Sequence, residues 1–196
     1  KGIEYGGSIY LNAGDSDEMT GGSIGLISGS SKLKSSGDIK IYTGSSSEGS
    51  GIIEVKTGRS EVGSSGSVQI KSGLVADGIG GTVVISSGLS SLGPGGDVTI
   101  HSGGSSENTG GEIHLSTGKS DAGASGNIKI ETGRGFFSSG SASILTGSSP
   151  TGTSGSLTFQ SGHSMQGSSG DIILDLGGAE SGNGGSFYAL AGKSEL

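Results

Sequence analysis

The sequence predicts an all-β fold, a β-solenoid of thirteen strand-and-turn repeats of about fifteen residues, with about two repeats to each coil and two parallel sheets facing each other. Three observations predict it: glycines that recur in register, apolar residues that alternate with polar ones between them, and linkers that fall into two alternating classes. An antiparallel β-meander or sandwich is the alternative, since alternating turns there also repeat every thirty residues.

The glycine register comes first. The segments read GSIYLNAG, GSIGLISG, GDIKIYTG, GIIEVKTG, GSVQIKSG, GTVVISSG, GDVTIHSG, GEIHLSTG, GNIKIETG, GSASILTG, GSLTFQSG, GDIILDLG and GSFYALAG. They start at Gly7, Gly22, Gly37, Gly51, Gly66, Gly81, Gly96, Gly111, Gly126, Gly140, Gly155, Gly170 and Gly185, fifteen residues apart save for two spacings of fourteen. Collagen needs glycine at every third residue with abundant proline, and this chain has 45 glycines, two prolines and no triplet. A Gly/Ser linker without structure keeps no such register.

Within each segment Ile39 and Ile41 flank Lys40, Ile128 and Ile130 flank Lys129, and the rest follow suit. Period two with β-branched residues predicts a half-buried strand. The linkers carry turn chemistry. Gly63, Gly78, Gly93, Asn108, Gly123, Gly152, Gly167 and Gly182 share one linker position, where positive φ is expected. At the preceding position Glu18, Glu48, Asp77, Glu107 and Gln166 alternate with Leu33, Val62, Leu92 and Ala122, which sets the thirty-residue coil.

Two aliphatic side chains per strand are worth roughly 3 to 6 kcal/mol when fully buried, so no rung stands alone and only a stack is expected to be stable. Equivalent positions then form columns. The last inward residue of each strand, from Ser28 and Thr43 to Thr146 and Ser161, predicts a hydroxyl ladder. A second column, Ser16, Ser31, Ser46, Ser60, Ser90, Ser105, Ser120, Ser149 and Ser164, is expected to serve the turns.

Charge and composition narrow the function. The net charge is −7 and the 11 basic residues are scattered, which argues against nucleic acid. No apolar run has the length of a membrane helix, so no membrane insertion is expected. There is no cysteine, hence no disulfide framework and no cysteine-bound metal. Asp15, Asp17 and Glu18 crowd the first linker and are the weak candidates for a metal, though the other linkers do not repeat the trio. No P-loop and no nucleophile, base and acid spacing occurs, and every linker is short, so neither enzyme activity nor a cofactor is expected.

Contacts with other molecules are expected at two breaks in the pattern. Phe136 and Phe137 stand together in a shortened linker, and Ile27, Val84, Leu145 and Ile173 form an interrupted apolar stripe on outward positions. Ser148, Ser149, Thr151 and Thr153 around Pro150 are the expected O-glycan acceptors, because the chain has no N-glycosylation sequon. Residues 1–196 read as one β-repeat array with both ends inside linkers, Ile3 in the apolar linker position and Ser194 in the serine position, so end-to-end self-association is expected.

With its unit G-[SD]-[IV]-x-[IL]-x-[ST]-G, as in GDIKIYTG and GDVTIHSG, the chain resembles the Gly/Ser-rich repeat regions of large surface and secreted proteins of algae and other protists. In general style it is similar to the passenger solenoids of bacterial adhesins. The resemblance implies an extracellular or cell-surface structural role, in a fibre, an appendage, an adhesive or a covering layer, with glycans as possible partners. Two binding roles stand as alternatives, an ice-binding solenoid and a carbohydrate-binding β-helix, although outward Tyr10, Lys40, Glu54, Lys71 and Glu131 interrupt the uniform hydroxyl array that ice would need.

Overall fold

The computed structural model describes residues 6–193, and Ile3 and Ser194 lie outside them. It divides into two units, Lys1–Thr99 and Ile100–Leu196, each of which is a succession of segments and closed loops. Among the described residues there is no strand and no helix. The expected β-solenoid is therefore not formed, and neither is the antiparallel meander or sandwich.

The reason is a shortage of apolar surface per ordered residue. Fixing a backbone costs about 1 to 2 kcal/mol per residue, and glycine loses the most freedom of all. Two aliphatic side chains must offset that cost for fifteen residues, of which at least two are glycines. They do not, and no residue among those described is buried. The accessible surface is 20629 Å². A folded monomer of 18.9 kDa exposes roughly 8,300 Å² and its unfolded chain roughly 27,000 Å², so about a third of the available burial has been collected.

The glycine register survives as a series of loops. In the first unit, Gly22 donates its N–H to the carbonyl of Gly14 at 2.8 Å, Gly37 to Gly29 at 2.9 Å and Gly96 to Gly88 at 3.0 Å. In the second unit, Gly111 donates to Gly103 at 2.8 Å and Gly185 to Gly177 at 3.0 Å. The last glycine of one segment thus meets the first glycine of the next. Most other loops close through a side chain at the same place: Thr57 abuts Gly66, Ser72 abuts Gly81 and Thr117 abuts Gly126. A Cβ on Gly22 would lie 3.1 Å from the Gly14 nitrogen, and one on Gly81 would lie 3.1 Å from Ser72 Cβ, so these first glycines are held to glycine by close approach.

The column expected as a hydroxyl ladder has a different role. None of its hydroxyls makes a hydrogen bond among the described residues, and instead they stand at the loop bases against the next glycine. Ala13, Ser28, Thr43 and Ser161 there, with the loop residue Ser164, are the least exposed residues of the described chain. What little shielding the molecule has is located at its loop bases.

Between loops, side chains two residues apart pair with each other. Lys40 pairs with Asp38 at 3.0 Å, Lys56 with Glu54 at 3.0 Å, and Lys129 with Glu131 at 2.6 Å. Lys71 donates to Gln69 at 3.2 Å. The same spacing pairs Arg59 with Glu61 and Lys119 with Asp121 inside linkers, so such pairs do not define a strand, and none is formed among the described residues.

Candidate interaction surface

The loops set where the segments begin and end. Seven of the nine loop serines accept, on Oγ, the N–H of the residue three positions on. The pairs are Ser16 with Met19 at 2.9 Å, Ser31 with Lys34 at 3.0 Å, Ser90 with Gly93 at 2.9 Å, Ser105 with Asn108 at 2.9 Å, Ser120 with Gly123 at 2.9 Å, Ser149 with Gly152 at 3.0 Å, and Ser164 with Gly167 at 3.0 Å. Ser46 accepts from Glu48 at 3.3 Å, and Ser60 instead donates to the Val62 carbonyl at 3.0 Å. The hydroxyl imitates a backbone turn acceptor.

Positive φ at the recurrent glycine position is confined to Gly63, Gly78 and Gly182, at 95°, 123° and 109°. In these three loops the serine acceptor is missing. Ser60 donates elsewhere, and Val75 and Ala179 stand where the other loops have serine. Where serine accepts the i+3 N–H the turn keeps ordinary φ, and in these three loops without it the turn closes through the left-handed region. The expectation of positive φ at Gly93, Asn108, Gly123, Gly152 and Gly167 is corrected by this exchange. Because Ser16 and Ser31 cap loops of opposite class in the same way, the thirty-residue alternation leaves no mark on this turn bond.

The segments present two unlike faces. On one, the first and second alternate positions carry Ile24 and Leu26, Ile39 and Ile41, Val68 and Ile70, or Ile113 and Leu115. Together with the loop-base column they make 39 positions, and none of the chain's 29 charged residues falls on any of them. The other side holds Asp38–Lys40, Glu54–Lys56 and Lys129–Glu131, with Glu112 reaching His114 there at 3.7 Å, while Arg59–Glu61 and Lys119–Asp121 lie in linkers. Exposed pairs of this kind contribute little to stability. They do cancel charge locally.

The apolar face is half open to water. First-position residues from Val83 at 48% to Ile128 at 58% typify it, and second-position residues such as Ile130 are more exposed. Completing their burial is worth about 1 to 2 kcal/mol each, or roughly 2 to 4 kcal/mol per segment. Six segments in one unit reach roughly 12 to 24 kcal/mol, against about 4 to 15 kcal/mol for the freedom lost when two molecules associate. The face is therefore the largest apolar gain that contact with another molecule could offer, and no part of the chain covers it.

The residues singled out in the sequence are all on the surface. Phe136 is 95% and Phe137 96% exposed, and their rings meet edge to face with centroids 5.0 Å apart. The loop that carries them turns so tightly at Gly135 that a Cβ there would collide with the Ser138 carbonyl oxygen. Ile27, Val84, Leu145 and Ile173 are exposed on their own segments, and the column expected to join them requires the stack that is not formed. Ser148, Ser149, Thr151 and Thr153 are exposed, with Ser149 Oγ engaged by the Gly152 N–H. Asp15, Asp17 and Glu18 are exposed, and no group of three or more His, Cys, Asp or Glu side chains among the described residues gathers into a metal site. The regular sheet that ice binding or a carbohydrate-binding β-helix would use is not present among the described residues.

Sequence reasoning assigned the loop serines to the turns but missed their exchange with positive-φ glycine; Val75 and Ala179 in place of serine signal it at Gly78 and Gly182, whereas Ser60-x-x-Gly63 carries no such signal. No known family, no curated protein and no solved structure matches the chain. Its resemblance to surface repeat proteins rests on the repeat unit alone.

Proposed function

We propose that this chain is a structural protein of the cell exterior, a non-enzymatic repeat that contributes to a fibre, an adhesive or a surface layer by associating with further copies. One observation carries the reading: thirteen registered aliphatic segments, free of charge along one face, are left uncovered by the chain itself. The surface in excess of a folded monomer is roughly 12,000 Å², several times the ~1,600 Å² of a standard protein interface. That excess is polar and apolar surface together, and its apolar part, the uncovered aliphatic side chains, is what a partner would cover.

The acidic balance fits the same role, because a charge of −7 keeps separate copies soluble until they meet at the concentration of a secreted material. Gly/Ser loops add flexibility between segments, which suits a load-bearing or space-filling material. The test is sedimentation velocity over a concentration series, with negative-stain electron microscopy of the concentrated samples. Large assemblies or fibres that grow with concentration are expected. A monomer at every concentration up to the millimolar range overturns the reading.

A further inference from the structure

We propose that the charge-free alternate face of the segments, exemplified by Leu26 and Ile85, is the surface on which a second copy of this chain docks, and that the opposite face, with Ile27 and Val84, is not. The inference rests on the self-associating role proposed above and names the site that performs it. Leu26 and Ile27 are neighbours in one segment, and Ile85 and Val84 are neighbours in another, so the two faces differ in direction and not in location along the chain.

Apolarity alone does not choose between them. Ile27 is 93% exposed and Leu26 65%, so the outward residue offers the larger area. Repetition decides it. Face positions equivalent to Leu26 and Ile85 are apolar in every one of the thirteen segments, whereas positions equivalent to Ile27 and Val84 also hold Lys56, Lys71, Ser116 and Glu131. A contact between two long chains gains from many weak sites only if each site is present on both, and a buried unpaired charge at any one of them is costly.

The occupant is a second copy for three reasons. The face repeats at fifteen-residue intervals, so a second copy can match it after a shift by any whole repeat of the regular spacing. The ion pairs Asp38–Lys40, Glu54–Lys56 and Lys129–Glu131 neutralise the opposite face locally, which leaves no strong field to select an oppositely charged partner. One unit offers six such segments in register, each with two uncovered apolar side chains, and a second copy offers the same. A lipid surface fits poorly, since the face has no basic rim and the chain carries 18 acidic residues against 11 basic.

The experiment compares the full chain with two double variants of equal charge, L26K/I85K and I27K/V84K, by sedimentation velocity. Neither variant opens a cavity, because no residue is buried, and the Ser87–Gly96 proximity measured by NMR checks that the loops persist. L26K/I85K is expected to raise the concentration for half-association by about tenfold or more, and I27K/V84K by no more than about twofold. Equal effects, or a larger effect of I27K/V84K, overturn the assigned face while the self-associating role stands. If the unaltered chain never associates, that role falls and the docking face falls with it. Co-flotation of the unaltered chain with phosphatidylcholine vesicles, abolished by L26K/I85K, would also overturn the second copy as occupant.

Discussion

Gly63 and Gly93 occupy the same place in their loops, yet replacing each by alanine should give opposite results. Gly63 has φ of 95° and no serine acceptor, whereas Gly93 has ordinary φ and donates its N–H to Ser90. An L-residue in the left-handed region costs about 1 to 2 kcal/mol, and alanine in place of glycine returns about 0.4 to 1 kcal/mol by restricting the open chain. The second effect is common to both variants, so their difference isolates the first. A Cβ on Gly93 meets only Ser90 Oγ, at 3.4 Å, and one on Gly63 meets nothing within 4 Å, so packing does not obscure the comparison. One or two kcal/mol is a factor of about 5 to 30 in the ratio of closed to open loop. The assay is NMR: the nuclear Overhauser effect between the Thr57 γ-methyl and the Gly66 α protons reports one loop, and that between Ser87 β and Gly96 α protons, with exchange of the Gly96 amide, reports the other. Gly63→Ala should abolish the first and Gly93→Ala should preserve or strengthen the second. Equal losses in both loops would refute the exchange between hydroxyl and left-handed glycine.

Ser90→Ala should drive Gly93 to positive φ, as Gly78 is under Val75, with little loss of loop closure, readable from the Gly93 coupling constants. Ser31→Ala has no such outlet, because Lys34 pays the left-handed penalty, and the Gly37 amide should lose protection by about fivefold or more. Gly135→Ala should disperse the Phe136–Phe137 edge-to-face pair and remove its ring-current shifts from the proton spectrum. Lowering the pH from 7 toward the isoelectric point near 4.8 removes the net charge of −7 and should lower the concentration at which copies associate, reversibly, as followed by light scattering.

Sequence and structure agree at short range and part at long range. The alternation of Ile39, Lys40 and Ile41 predicted a half-buried strand, and no strand forms among the described residues; what persists is local, the pairing of Lys40 with Asp38 two residues away. The turn role of Ser16, Ser31 and the other loop serines was also legible, because a serine at a fixed linker position places a hydroxyl acceptor within reach of the N–H three residues on. Stacking was not legible. A period shows that every segment has the same face, and it is silent on whether the segments of one chain meet or segments of different chains do. The deciding quantity is apolar area against ordering entropy, and two aliphatics among many glycines lose that contest within a single chain.

The interface residues read from the sequence differ from the repeated face for a related reason. Ile27, Val84, Leu145 and Ile173 were noticed as departures from a polar outward face, and Phe136 and Phe137 as departures from a polar linker. A repeat protein concentrates its chemistry in what does not vary, so an exception is present once where the rule is present in every segment. With all these side chains exposed, multiplicity separates them: an outward isoleucine offers one contact, while the face that includes Leu26 offers two in each of thirteen segments. Weak contacts tied together on one chain raise the effective concentration of the next, so affinity grows with the number of matched segments until flexibility of the loops limits it. Shortening the chain by whole repeats should therefore weaken association progressively, whereas removing the Phe136–Phe137 loop alone should weaken it no more than loss of one repeat does.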